Sequence, residues 1–417
     1  MKTIVDYLER EQRTFDELAF SPVDSLVLSS VVYFNFDAAG VMDGESFEPV
    51  LLHDVVALTP WRDLTASCWM EDAEQTERFV RAVMASRRLR DVSVAFFVND
   101  LVSTIEKQFS VATFLLPGAA SAFSEKRDVP ASPHAERAAS APASFAEAGE
   151  GDILYLAYRG TDGTLAGWKE DFNLTFKDVI PSQAAALQYL SGVASTCTAS
   201  LMLGGHSKGG NLAEFAALTC DEALYERIVG VFDHDGPSFF TDPSPRMSHP
   251  SYLAKLHKTV PSSSVFGLLL EHHLNYHIVQ ADALPFLSHS PFTWLVEGGD
   301  FVYGDELTRG STAFDQSLDE WLHSVDSERR ELFIDTMYEL FMSTEASTWS
   351  EFQDNLPRNI ATMVNEGRKL DSETRGFLLS SFANGIRLVS SGAARAILPE
   401  PSKRVRLRRQ FYERRGK

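Results

Sequence analysis

The stretch Leu201-Met202-Leu203-Gly204-Gly205-His206-Ser207-Lys208-Gly209-Gly210-Asn211-Leu212-Ala213 decides how this chain is read. Gly205, Ser207 and Gly209 form G-x-S-x-G, a pattern that alone arises often by chance. Its setting gives it weight. An apolar run, Ala199–Leu203, precedes it and a helical run, Asn211–Leu218, follows it, which is the strand–turn–helix context a nucleophile elbow requires. A serine at so sharp a turn needs neighbours without side chains, so that strand and helix can approach. The helix then aims free N–H groups at charge developing on a reacting atom. The plainer alternative is a glycine-rich turn with an incidental serine. The flanks favour Ser207 as a nucleophile.

Outward from the elbow, strands and helices alternate. Upstream, Ile153–Tyr158 reads as a buried strand ending in Arg159-Gly160-Thr161-Asp162, and Pro181–Val193 as a helix. Val92–Val98 and Phe109–Leu116 read as strands of a hairpin. Downstream come a strand at Ile228–Phe232, a helix at Val265–Glu271, and strands at Tyr276–Gln280 and Thr293–Glu297. Such alternation implies a mainly parallel sheet with crossover helices, an α/β-hydrolase fold with helical additions at both ends. We expect 1–90 to be a helical N-terminal part, with an amphipathic helix at Phe79–Leu89. Residues 91–310 would be the α/β core, 311–398 a C-terminal helical region and 399–417 a basic tail. Within the core, 118–150 is dominated by Ala, Ser, Pro and Glu without a period, and is expected to be a mobile insertion.

A nucleophilic serine needs a base, an acid to orient it and donors for an oxyanion. In this fold class the acid and then the histidine follow the serine along the chain. His206 adjoins the serine and is excluded. His272 and His273 fall at the expected helix end. His289 lies in the loop Leu284–Pro291 between the last two strand-like runs, the expected place for a base. The strand Ile228–Phe232 ends in Asp233-His234-Asp235-Gly236-Pro237. Asp235, before the Gly-Pro turn, is the preferred acid, with Asp233 the alternative and Asp282 a third option. One oxyanion donor should be the backbone N–H of Lys208. Thr161, at the end of an earlier strand, is the candidate for the second, through its N–H and its hydroxyl.

Composition bounds these readings. The hydrophobic fraction of 44% and charged fraction of 23% suit an ordinary globular core. A net charge of −20 argues against nucleic acid as a partner. That charge is uneven: residues 403–417 hold eight basic residues against Glu413, a net of +7, leaving −27 elsewhere. The tail could fold back on the acidic body, or make peripheral contact with an anionic membrane. Three cysteines, Cys68, Cys197 and Cys220, form no disulfide pattern and suggest a reducing compartment. Residues 1–15 lack an apolar signal region, and no run approaches the roughly 18–20 apolar residues of a membrane span. The expectation is a cytoplasmic protein that needs neither metal nor organic cofactor.

Taken together, these segments resemble a bacterial family of lipase-like α/β hydrolases of unknown function, placed beside the class-3 lipases. The resemblance spans roughly residues 1–345. It rests on Asp24-Ser25-Leu26-Val27-Leu28-Ser29, Gln108-Phe109-Ser110, Tyr158-Arg159-Gly160-Thr161-Asp162 and Trp168-Lys169-Glu170-Asp171-Phe172-Asn173. It continues through the elbow, Asp235-Gly236-Pro237, Val260-Pro261 with Ser264 and Gly267, and His289 with Trp294. It implies a nucleophile at Ser207, oxyanion donors at Thr161 and Lys208, and a base at His289. The chain departs from the family pattern at Ser238, where a glycine is usual, and at Ser288-His289-Ser290, where Gln-His-Asp is usual. The expected activity is cleavage of an acyl ester or thioester, with lipids among the candidate substrates. The competing expectation is a catalytically silent hydrolase fold used as a binding or regulatory module.

Overall fold

In the computed structural model, the residues described are 2–39, 49–66, 73–102, 106–120, 148–149, 151–162, 164–283, 287–344, 346, 351–352 and 355–380. Most of the expected mobile insertion, the end of the C-terminal helical region and the whole basic tail lie outside them.

Nine strands form the central sheet: β1 (Val50–Leu51), β2 (Ser93–Val102), β3 (Lys107–Leu116), β4 (Ile153–Tyr158), β5 (Ser200–His206), β6 (Ile228–His234), β7 (Leu256–Pro261), β8 (His277–Val279) and, at the far edge, β11 (Tyr303–Gly304). The strands from β4 to β8 run parallel, while β1 to β3 and β11 join antiparallel at the two sides. A separate pair, β9 (Val296–Glu297) and β10 (Asp300–Phe301), lies outside this sheet. The architecture is therefore α/β with a large, mostly parallel sheet.

The central strands are apolar on both faces because helices cover both. Along β4, Ile153, Tyr155 and Ala157 pack into one core with Val23, Leu26, Leu28 and Phe79 of the N-terminal helices. Leu154, Leu156 and Tyr158 pack into the other with Ala186, Leu190, Leu212 and Ala216. This alternation is the period of two expected of a strand. The helices behind it are Ile4–Arg10, Pro22–Val31 and Ala73–Ala85 on one face, and Pro181–Ala194 and Lys208–Thr219 on the other. The expected helix at Phe79–Leu89 is thus displaced toward the N-terminus. Among the described residues no helix is long and apolar enough to cross a membrane.

Two expected elements differ. Val265–Glu271 forms turns, not a helix. The N–H of Gly267 is taken by Asp235 Oδ1 at 3.0 Å, the carbonyl of Leu269 by Ser238 N–H at 2.9 Å, and Leu270 sits at φ 62°. These outside partners displace the helical ladder. The expected strand Thr293–Glu297 shrinks to β9, because Pro291–Thr293 coils into a 3₁₀ turn. The strand β7 escapes a pattern reading because Lys258 stands in its middle. The ends of the expected insertion meet: Gly118 N–H donates to Asp152 Oδ1 at 3.1 Å and Ala120 N–H to Gly151 O at 3.2 Å.

In the C-terminal region, helices Arg309–Ser324, Ser327–Met342 and Leu356–Gly367 follow the sheet. The second docks on helix Leu165–Asn173 through Asp335, whose Oδ1 lies 3.0 Å from Lys169 Nζ, and Tyr338, whose ring lies 4.8 Å from the same ammonium.

Candidate active site

Strand β5 ends at His206, and the helix Lys208–Thr219 begins two residues later. Ser207 joins them at φ 59° and ψ −134°, a conformation that costs a non-glycine residue about 1–3 kcal/mol and persists only where its surroundings hold it. Two bonds do so: Ser207 N–H donates to His234 O at 2.9 Å, and Gly210 N–H to Ser207 O at 2.9 Å. The glycines of the motif are sterically required. A Cβ on Gly205 would lie 2.6 Å from Tyr158 O and closer still to Gly209, and one on Gly209 would strike Tyr158 O. Ser207 itself stays partly exposed.

His289 comes to this corner from a 3₁₀ turn, Leu287–His289. Its Nδ1 lies 2.7 Å from Asp235 Oδ2. Its ring sits between His206 and Phe266, with centroids 4.5 and 4.3 Å away. Its peptide is fastened on both sides. His206 Nε2–H donates to His289 O at 2.7 Å, and Trp294 Nε1–H donates to Ser288 O at 2.9 Å. These two bonds hold the turn although Ser288 and Ser290 replace the usual neighbours. Burial keeps His206 well below the ordinary histidine pKa, and the nearby His289 adds to this. His206 is therefore a neutral strut.

Asp235 is fully buried. It stands at φ 58°, its N–H bonded to Thr259 O at 2.8 Å. Oδ1 accepts from Ser264 Oγ and from Gly267 N–H, which leaves Oδ2 for the imidazole. The alternative acid faces elsewhere. Asp233 Oδ1 accepts from Gly236 N–H at 2.8 Å, and Oδ2 lies 2.9 Å from Lys258 Nζ. Lys258 also approaches Glu214 at 3.3 Å and Glu271 at 3.1 Å. Burial pushes the Asp233 carboxyl well above the ordinary range, with Lys258 opposing the rise and Glu214 adding to it. His273 pairs with Asp242 at 3.1 Å. The third acid option, Asp282, donates its N–H to Thr293 O at 2.9 Å in a neighbouring turn.

The segment from Arg159 to Asp162 lies against the elbow. A Cβ on Gly160 would sit 2.6 Å from His206 O and 3.1 Å from Ser207 Cβ, so only glycine lets the loop approach. The Thr161 hydroxyl donates to Asp171, at 2.7 and 2.6 Å from its two oxygens. That hydroxyl is thereby engaged, so of the two expected donor groups of Thr161 it is the backbone N–H that is not tied to Asp171. Asp171 is itself pushed up to about 6 by burial, with Lys208 opposing.

The side chain of Lys208 runs inward and is 1% exposed. Its ammonium meets Glu170 Oε2 at 2.9 Å, Gln108 Oε1 at 2.8 Å and Gln108 O at 3.1 Å. Reading by residue type assigns no role to Glu170 or Asp171. One signal was available: a lysine after the serine, at the start of a buried helix, requires a buried acid. Among the described residues, no cluster of three or more His, Cys, Asp or Glu side chains could hold a metal ion.

Fold and site together define an α/β protein with a serine at a strained strand–helix turn and a hydrogen-bonded His–Asp pair that touches the preceding residue, His206. The chain belongs to the Mbeg1-like family, whose model matches residues 83–339. The motif Asp24–Ser29 lies outside the matched residues. No curated protein matches the chain, and no solved structure does either.

Proposed function

We propose that the protein is a lipase-like serine hydrolase with an α/β-hydrolase fold, cleaving an acyl ester or thioester. The observation that carries this reading is the 2.7 Å contact between His289 Nδ1 and Asp235 Oδ2, reached across 54 residues and set beside the Ser207 elbow. With Asp235 holding the proton on Nδ1, Nε2 of His289 is the basic nitrogen. Ser207 Oγ attacks the acyl carbon as His289 takes its proton. The oxyanion is met by the backbone N–H groups of Thr161 and Lys208. His289 then returns the proton to the leaving alcohol or thiol, and water releases the acyl group by the same route. The resemblance to lipase-like hydrolases supports an acyl substrate, and the mechanism uses protein groups alone. The free thiols of Cys197 and Cys220 support a reducing, cytoplasmic setting.

The test is a panel of p-nitrophenyl acyl esters of different chain lengths, with fluorophosphonate labelling, on wild type and Ser207→Ala. Wild type should turn over and label, and the variant should do neither while remaining folded. Retention of more than about 1% of turnover in Ser207→Ala, at the scale of triad losses, would sink the assignment. Absence of labelling in wild type would favour a silent fold used for binding.

A further inference from the structure

Helix Leu165–Asn173 carries two consecutive acids that reach the two halves of the proposed oxyanion site. Asp171 holds the hydroxyl of Thr161, as described. Glu170 holds Lys208. Resting on the reading of Ser207 as nucleophile, we propose that Glu170 is a positioning residue. Through the Lys208 ammonium it fixes the peptide between Ser207 and Lys208, whose N–H serves the oxyanion.

The contacts leave the carboxylate no freedom. Glu170 is fully buried. Oε2 accepts from Lys208 Nζ at 2.9 Å and Gln108 N–H at 3.0 Å, while Oε1 accepts from Ser182 N–H at 3.0 Å. The Ser182 hydroxyl lies 2.7 Å from both oxygens. Strand β3 and the helices beginning at Leu165, Pro181 and Lys208 thus converge on one group. The lysine is equally fixed: its three ammonium protons are met by Glu170 Oε2, Gln108 Oε1 and Gln108 O.

Stability is a poor explanation for this pair. A buried ion pair often gains nothing over apolar residues of the same size, because desolvation offsets the attraction. Placing a cation in the first turn of a helix also opposes the helix dipole. The pair makes sense as placement. The adjoining peptide belongs to a residue held at φ 59° and ψ −134°, and a strained peptide turns away unless something opposes it. The Gly210 N–H holds the carbonyl end of that peptide, and a side chain anchored at its far end, on the residue that carries the donor, holds the N–H end.

The experiment compares Glu170→Gln, Lys208→Met and the double variant on a p-nitrophenyl ester, with melting temperatures measured alongside. All three variants keep the backbone N–H at position 208. Glu170→Gln leaves the ammonium buried without its counter-charge, so it should lower both the melting temperature and kcat. Removing one oxyanion donor outright costs about 10²–10³ in rate, so a loosened one should cost at least about tenfold, with KM within about twofold. The double variant removes both charges of the pair and leaves only the partly exposed Asp171, 3.7 Å from where the ammonium stood, without its cation. It should recover the melting temperature while kcat stays low, because the anchor is still missing. It also carries the test should Glu170→Gln fail to fold. A folded Glu170→Gln with kcat within about threefold of wild type would overturn the proposal, as would a double variant whose kcat recovers together with its melting temperature. Turnover surviving in Ser207→Ala is a separate failure: it removes the nucleophile, and this inference with it.

Discussion

Asp235→Asn is the sharpest perturbation of the proposed triad, because the structure dictates how an asparagine must sit. Oδ1 of Asp235 accepts from Ser264 Oγ and from Gly267 N–H at 3.0 Å. The Gly267 N–H can only donate, so the amide oxygen of the introduced side chain must remain there. The amide NH₂ then faces His289 Nδ1, where Oδ2 stood at 2.7 Å. An NH₂ cannot accept from an N–H, so the imidazole proton moves to Nε2 and the nitrogen needed as base is blocked. Asparagine tolerates the φ of 58°, so the backbone should hold. A wrong-tautomer change of this kind costs about 10⁴ in kcat, roughly 5 kcal/mol on the barrier. The control is Asp233→Asn. Asp233 faces Lys258 and Gly236, not His289, so its amide should cost stability before it costs rate. Its rate should stay within about tenfold of wild type. The assay is kcat and KM on one p-nitrophenyl ester, with near-UV circular dichroism as the check on folding. An active Asp235→Asn beside an inactive Asp233→Asn would refute the argument and reassign the acid.

Two predictions concern stability. His234 is fully buried between Ser25 Oγ and Thr259 Oγ1, each at 2.8 Å, and burial pushes its pKa down to about 3. It stays neutral in the fold, whereas the unfolded chain binds a proton below about 6.5. Stability should therefore fall as pH drops from about 6.5 toward 3, by at most about 1.4 kcal/mol per unit from this residue. His234→Gln should flatten the fall between pH 7 and 4.5 by about 2 kcal/mol in urea unfolding, and parallel curves would disprove it. Arg88 forms a fully buried pair with Asp24 at 2.6 and 2.7 Å and also donates to four backbone carbonyls of residues 13–19. Arg88→Met leaves Asp24 buried without its counter-charge, held only by Tyr7 and Ser21, and should cost about 3–5 kcal/mol. A loss under about 1 kcal/mol would show that water reaches the carboxylate.

What was legible in the sequence was whatever rests on periodicity or on steric need. The strand Ile153–Tyr158 is legible because six consecutive apolar residues suit a sheet covered on both faces. The elbow is legible because only glycine fits at positions 205 and 209, where a Cβ would meet backbone atoms. By contrast, β7 and the turns of residues 265–270 are set by long-range polar contacts, which leave no period. Lys258 disguises a strand because its ammonium meets Asp233, Glu214 and Glu271 inside the fold. Segment 265–270 has helical apolar spacing, yet its N–H and carbonyl groups are claimed by Asp235 and Ser238.

The same limit governs the candidate site. A residue type suggests which groups react, but not which buried partner holds them. The sequence supplies Asp233 and Asp235 two positions apart on the same strand end, and a chain reading can only rank them. Position separates them physically. Asp233, inside β6, is committed to a lysine of the neighbouring strand β7, whereas Asp235 lies one residue beyond the strand at a left-handed turn. That turn aims one carboxylate oxygen at the imidazole and keeps the other on the Gly267 N–H. The helix carrying Glu170 and Asp171 extends the point to the proposed oxyanion side. Two adjacent acids are bland in a sequence and specific in a fold, because each takes its role from the partner brought to it: Thr161 from the end of β4, and Lys208 from the elbow.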